Sequence, residues 1–160
     1  MKFKHIISIA LLLSSLSFAE TRYPFWGIVA YSSTIEGERG DVGGIRYGQQ
    51  SKDWRTSFTL ESKYYNQQML TLQIDRTLLY SLSTSKLRIY GGVVGAAIIQ
   101  DKNDGSDDKM LGYGYGLSAG LMYYLSDTID LDLGYRYMKV TDIDNVDDIS
   151  SFGLALHYFF

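Results

Sequence analysis

The sequence has no cysteine and only one proline among its 160 residues. Without cysteine, the chain can form no disulfide framework and cannot carry a lipid-modified N-terminal cysteine. Beyond residue 19, no stretch is continuously apolar for the roughly 18 residues that a membrane-spanning helix needs. Because 46% of the residues are nevertheless hydrophobic, the apolar residues must be spread along the chain. Alternation of apolar and polar residues is the pattern that indicates β-strands.

The first 19 residues have the layout of an export signal. Two lysines precede a short apolar run at residues 6–13, and the segment 17–19 (Ser-Phe-Ala) places small residues at the two positions that a signal peptidase recognises. The apolar run is too short to cross a bilayer as a helix. The sequence therefore predicts a cleaved signal peptide over residues 1–19 and one exported domain over residues 20–160.

The charge balance limits the class of partner. Removing residues 1–19, which contain two lysines and no acid, changes the formal net charge from −3 to −5. An acidic domain of this kind argues against a nucleic-acid partner. The composition is rich in Tyr (14) and Gly (16), which is unusual for a soluble domain.

Period-two alternation divides the exported domain into eight strands. In the last one, Phe152, Leu154, Leu156, Tyr158 and Phe160 share one face, and the residues opposite are small or polar except for Phe159. The eight predicted strands span residues 23–32, 42–50, 54–64, 69–80, 87–99, 110–124, 128–139 and 152–160. We therefore predict an all-β fold, a closed antiparallel eight-stranded up-and-down transmembrane barrel whose apolar face meets lipid.

Because the number of strands is even, both chain ends lie on one side, which we expect to be the periplasm. Residues 51–53, 81–86 and 126–127 are then periplasmic turns. Residues 33–41, 65–68, 101–109 and 141–148 are then external loops, which are polar and, on average, longer.

Two positions in this pattern stay open. In the first strand, Phe25, Val29 and Tyr31 compete with Trp26 and Ile28 for the apolar face. Arg76 falls on the lipid side between two apolar residues, where either a β-bulge shifts the register or the long side chain extends to the head groups.

The inward-facing positions carry four cations and four carboxylates. They are Arg46, Arg55, Arg88, Arg136, Glu61, Asp75, Asp130 and Asp132. In a barrel this narrow we expect opposite charges to pair, because unpaired buried charge is costly. The sequence predicts a filled, salt-bridged interior, and the alternative is a gated polar pore.

Three segments resemble parts of small OmpA-like and opacity-type outer-membrane barrels. Residues 116–137 (GLSAGLMYYLSDTIDLDLGYRY) resemble their penultimate hairpin, and residues 90–97 (YGGVVGAA) resemble their middle strand. The chain end resembles the signal read by the barrel-assembly machinery, here Ser151, Gly153, Leu156, Tyr158 and Phe160, with Leu156 in place of a preferred aromatic. The resemblance implies an eight-stranded outer-membrane barrel, but no single activity, because this fold carries adhesins, structural proteins and enzymes alike.

Catalytic and metal-binding patterns are weak. His157 is the only histidine after residue 19; it lies near the predicted periplasmic end, so we predict no enzyme and no catalytic residue. Asp142, Asp144, Asp147 and Asp148 are weak metal candidates in an acidic loop, and a solvated loop is the favoured interpretation. Outward tyrosines are interpreted as an aromatic girdle.

The sequence thus predicts a non-enzymatic outer-membrane barrel with a structural, envelope-integrity or surface-contact role and no cofactor. Its expected partners are outer-membrane lipid, lipopolysaccharide and, during biogenesis, the barrel-assembly machinery; the barrel is expected to be monomeric. One alternative is a narrow pore or small-solute binder. Others are an adhesin-type surface protein, which short loops disfavour, and a soluble lipocalin-type barrel, whose interior would be apolar.

Overall fold

The computed structural model describes residues 21–35, 38–63, 67–80, 86–101, 109–143 and 146–160. The predicted signal peptide at residues 1–19 lies outside the described residues, as do Asp144 and parts of the predicted connections. The described part of the chain contains no helix that could span a membrane.

Eight antiparallel strands close into a barrel in chain order, which confirms the predicted fold class. The strands are β1 (Tyr23–Ile35), β2 (Glu38–Gln50), β3 (Trp54–Lys63), β4 (Gln67–Tyr80), β5 (Leu87–Asp101), β6 (Lys109–Tyr124), β7 (Ile129–Thr141) and β8 (Asp148–Phe159). We call the end of the barrel with Tyr23 and Phe160 the inner end, and the opposite end the outer end.

The strands are longer at the outer end than the alternation predicts. Strand β8 begins at Asp148 rather than at residue 152, and β5 continues to Asp101. Polar residues at these ends hide the alternation, although backbone pairing continues through them. At the inner end, the β6–β7 connection spans residues 125–128 rather than two residues, because the amides of Leu125 and Ser126 both donate to the carbonyl of Ile129.

The register around the barrel shows why its interior is narrow. Following paired residues from Phe25 through all eight strands leads back to β1 at Ile35, ten residues further along. With eight strands, such a stagger corresponds to a tilt of roughly 40° and an interior that side chains alone can fill.

The structure assigns both faces of β1. Phe25, Val29 and Tyr31 point inward and are at most 7% exposed, whereas Trp26 and Ile28 are 51% and 57% exposed. The inward ring of Phe25 packs against His157, with ring centroids 4.7 Å apart. Large apolar residues therefore stand on both faces of this strand, which is why alternation alone could not assign them.

Arg76 stays on the outward face, although β4 does contain a bulge. The register shifts between Thr77 and Leu79, one residue after Arg76. The shift therefore does not turn Arg76 inward, and its guanidinium carbon lies 5.5 Å from the centroid of the Trp54 ring.

Candidate functional site: the filled barrel interior and its apolar exterior

The inner half of the barrel holds a compact network of charges. The Arg55 Nη2 atom lies 3.0 Å from Asp75 Oδ2 and 2.9 Å from Asp132 Oδ2. The Arg46 Nη1 atom lies 3.2 Å from the same Asp132 oxygen. Because all four residues are at most 2% exposed, each charge is buried only together with its partner, as the cost of desolvation requires.

Neutral groups complete the hydrogen bonding of the two carboxylates. The Tyr90 hydroxyl donates to Asp132 Oδ1 at 2.8 Å. The Ser118 hydroxyl donates to Asp75 Oδ1 at 2.8 Å, and the Gln73 amide donates to both Asp75 oxygens at 2.9 Å. A buried carboxylate with several donors is stabilised in a fixed position.

The two arginines are also held by neutral groups. Arg46 donates from Nε to the Thr59 hydroxyl at 3.0 Å and from Nη2 to the Tyr31 hydroxyl. The Arg55 guanidinium carbon lies 4.5 Å from the centre of the Tyr90 ring, within the range of a cation–π contact. These contacts fill the cross-section of the inner half with ordered side chains.

A second ion pair crosses the middle of the barrel. Arg136 Nη1 donates to Glu61 Oε1 at 2.6 Å, and Nη2 donates to Oε2, so the pair is bidentate. The Thr71 hydroxyl reaches Glu61 at 3.4 Å, and the Arg136 guanidinium stacks 4.5 Å over the Tyr31 ring.

Asp130 pairs with a histidine rather than with an arginine. His157 Nδ1 lies 2.7 Å from Asp130 Oδ1, and both side chains are fully buried. His157 Nε2 lies 3.4 Å from Arg46 Nη1. Since a guanidinium can only donate, the geometry fits a neutral imidazole that donates from Nδ1 to Asp130 and accepts at Nε2.

Arg88 occupies a different environment from the other predicted interior charges. It is half-buried at the inner mouth, where its guanidinium carbon lies 4.8 Å from the centre of the Tyr124 ring. It donates to the carbonyl of Lys52 at 3.4 Å. The interior therefore holds seven of the eight predicted charges in two ion-paired groups that both contact Tyr31, and Arg88 lies at the edge of this network.

The outer third of the interior is apolar, which the sequence reasoning missed. A buried cluster fills it, formed by Met69, Val94, Ala96, Ile98, Met138, Val140, Ile143, Val146 and Ile149. Ile143 and Val146 come from the connection between β7 and β8 and fold into the mouth. Gly112 makes room, because a Cβ atom there would overlap the Ile143 side chain. The sequence does contain a sign of this cluster, because Ile143 and Val146 are two apolar residues within a loop that was predicted to be polar.

The acidic residues in and next to the same connection point to solvent. Asp142, Asp147 and Asp148 are exposed, and Asp142 adopts a left-handed backbone with φ of 67°. Asp144 lies outside the described residues. Among the residues that the structure describes, no group of three or more His, Cys, Asp or Glu side chains is arranged to hold a metal ion.

The outward face of the barrel is an apolar belt. The outward tyrosines Tyr113, Tyr115, Tyr123, Tyr135, Tyr137 and Tyr158 are 38% to 60% exposed. Aliphatic residues such as Leu117 (67%) and Val93 (55%) lie between strand ends. A monomeric soluble protein rarely exposes so continuous an apolar surface.

The predicted assembly signal lies on β8, beside β1. Leu156, Tyr158 and Phe160 point outward and are 42%, 46% and 65% exposed. Gly153 and Ser151 face the interior, where Gly153 leaves space for the ring of Tyr31. The spaced apolar residues therefore belong to the apolar belt, beside the contact between the two strands β8 and β1 where the barrel closes.

Comparisons with known proteins identify the fold. No protein-family model matches the sequence, and no curated protein matches it. The structure is similar to outer membrane protein H (OprH) of P. aeruginosa, with a TM-score of 0.66 and 21% identity over 86% of this chain and 99% of that chain. It is also similar to Neisserial surface protein A (NspA), with a TM-score of 0.62 and 18% identity over 87% of this chain and 97% of that chain.

A third structure extends the comparison. The N-terminal β-barrel domain of P. aeruginosa OprF gives a TM-score of 0.53 and 14% identity over 84% of this chain and 97% of that chain. At these identities the likeness concerns the fold, and it extends over nearly the full length of each barrel. The protein therefore has the fold of the small eight-stranded outer-membrane β-barrels, the group that its sequence resembles.

Proposed function

We propose that the protein is a closed, non-enzymatic barrel of the bacterial outer membrane that serves envelope structure or surface contact. In this proposal the chain is exported through a cleaved signal peptide and inserted by the barrel-assembly machinery. Outer-membrane lipid and lipopolysaccharide then surround a monomeric barrel.

The observation that carries the proposal is the separation of residue types between the two faces. Outward side chains are large, apolar and exposed, whereas the inward charges are buried and paired. A soluble lipocalin-type barrel would need the reverse arrangement. In a bilayer, the apolar belt loses contact with water, and the backbone hydrogen bonds of every strand are made with its two neighbouring strands.

The filled interior favours a closed barrel rather than a narrow pore. Any path along the barrel axis would have to pass the bidentate pair of Arg136 and Glu61. It would then have to pass the buried apolar cluster in the outer third of the interior, which includes Ile143 and Val146. Moving the pair apart would leave two buried charges uncompensated. A small-solute site inside the barrel would need the same side chains to move apart.

The environment of the single described histidine supports a non-enzymatic role. His157 Nε2 faces the Arg46 guanidinium, whereas a general base that activates a nucleophile needs a hydroxyl or thiol at that nitrogen. The imidazole is also buried below Phe25 and away from solvent.

The lengths of two strands favour the surface-contact part of the proposal. β5 and β6 have 15 and 16 residues, whereas the other strands have 10 to 14. Their outer ends carry the paired residues Ile99 and Leu111, which are 40% and 48% exposed. We propose that this hairpin carries the contact with another surface.

Three measurements test the proposal. We expect the folded protein to remain with the outer-membrane fraction after a urea wash and to migrate differently on a gel before and after boiling. In planar bilayers we expect no stable single-channel steps. Migration that does not change on boiling, together with recovery in the soluble fraction, would refute the membrane location; stable conductance steps would refute the closed interior.

A further inference from the structure

A cationic side chain stands on the outward face of β4 near the inner end of the barrel. Arg76 is exposed between the outward residues Ile74 and Leu78. Its strand neighbour on β3 is Trp54, which is 49% exposed. The guanidinium stacks on that indole at 5.5 Å, and among the described residues it forms no ion pair.

On the side of Arg76 that faces β5, no large side chain stands beside the guanidinium. Its neighbour on β5 is Gly91, which has no side chain, and Leu78 leans over that position so closely that an added Cβ would lie 3.1 Å from its Cδ1 atom. The guanidinium therefore has the Trp54 ring on one side, and on the other side a shallow apolar surface formed by Gly91 and Leu78. A cation on the lipid-facing surface is least costly near the head groups, where an anion can meet it.

The inner end around this position carries a surplus of positive charge. Its exposed or half-buried charged residues among those described are Arg22, Lys52, Arg76, Lys86 and Arg88 against Asp53 and Asp127, whereas Asp130 is buried beside His157. Lys52 and Lys86 are exposed and lie on the connections beside β3 and β5. An anionic group near Arg76 would therefore be attracted by several cations together.

We propose that Arg76 and Trp54 form a binding site for the phosphate group of an anionic phospholipid in the inner leaflet of the membrane, with Lys86 adding attraction. This inference rests on the membrane location proposed above. A guanidinium can hold two phosphate oxygens at once. An indole favours the boundary between hydrocarbon and head groups, which is the depth at which that phosphate lies.

The test compares lipid retention by purified barrels in nanodiscs that contain phosphatidylcholine and phosphatidylglycerol, without lipopolysaccharide. Native mass spectrometry counts the lipids that stay bound. We expect the wild-type barrel to retain phosphatidylglycerol in preference to phosphatidylcholine. Arg76→Gln should weaken that retention roughly fivefold, the factor that corresponds to about 1 kcal/mol for one basic residue at a membrane surface.

Two further variants sharpen the test. Arg39→Gln removes an exposed arginine at the outer end and should leave the retention unchanged. Trp54→Leu keeps the apolar surface but removes the ring, and it should lower the retention of phosphatidylglycerol. Equal retention by the wild type and Arg76→Gln would overturn the site, and unchanged retention in Trp54→Leu would overturn the part assigned to the indole.

Each preparation is first checked for a change in migration on boiling. A barrel that inserts and closes but shows no preference for phosphatidylglycerol would overturn the lipid site and leave the proposed function intact. A wild-type chain that does not insert at all would instead overturn the proposed function.

Discussion

The ion pair in the middle of the barrel gives the sharpest test of how the interior is held together. Arg136→Met keeps an apolar stem against the Tyr31 ring but leaves Glu61 with the Thr71 hydroxyl at 3.4 Å as its remaining side-chain donor among the described residues. Removing one partner of a buried pair costs about 3–5 kcal/mol, because the other charge stays buried. We expect Arg136→Met to lower the free energy of unfolding by that amount.

A second substitution separates pairing from packing. Glu61→Gln removes the remaining charge, so the double variant should recover part of the loss, with a coupling free energy of about 2–3 kcal/mol. Arg39→Met, at an exposed arginine of the outer end, should change stability by no more than about 0.5 kcal/mol.

The assay is urea unfolding of the barrel in thin phospholipid vesicles, followed by tryptophan fluorescence. Both tryptophans, Trp26 and Trp54, lie on the outward face, so each moves from lipid to water on unfolding. A loss below about 1 kcal/mol for Arg136→Met, or a double variant as unstable as the sum of the single ones, would refute the view that this pair is closely coupled.

Three further outcomes follow from individual contacts. Gly112→Val should expel the Ile143 side chain and speed proteolysis of the connection at 142–147, with the barrel still closed; unchanged cleavage would contradict the apolar cluster in the outer third of the interior. Tyr90→Phe removes the donor to a buried carboxylate and should cost about 1.5–3 kcal/mol in urea unfolding, whereas Tyr115→Phe on the outward face should cost at most about 0.5 kcal/mol. Leu154→Arg places a cation in the outward belt and should lower stability in vesicles by about 2–4 kcal/mol; a neutral effect would argue that this face does not meet lipid.

Much of the fold was readable because alternation is a local property. The eight strands and the outward positions of residues such as Leu60 and Leu154 agree with the structure. The inner strand ends were predicted closely, since turns with small polar residues mark them. The outer ends were predicted too short, because polar residues there keep pairing their backbone beyond the apolar pattern.

The interior could be predicted in composition but not in pairing. The sequence placed Asp130 among charges that would meet arginines, whereas in the structure it meets His157 at 2.7 Å. Arg46 and Asp132 are far apart in the sequence and meet across the barrel at 3.2 Å. Such contacts depend on the stagger of all eight strands, which no local pattern specifies.

The sequence by itself determined that the chain makes eight strands with one apolar face, because a period of two fixes which side chains share a side. Only the tertiary structure decided which charges pair, which face of β1 turns inward, and that Ile143 and Val146 close the outer mouth. It also placed Arg76 beside Trp54 on the outward face, since a bulge one residue later leaves its orientation unchanged. The physical reason is that closure of the barrel sets distances across its axis, and those distances exist only when all the strands are in register.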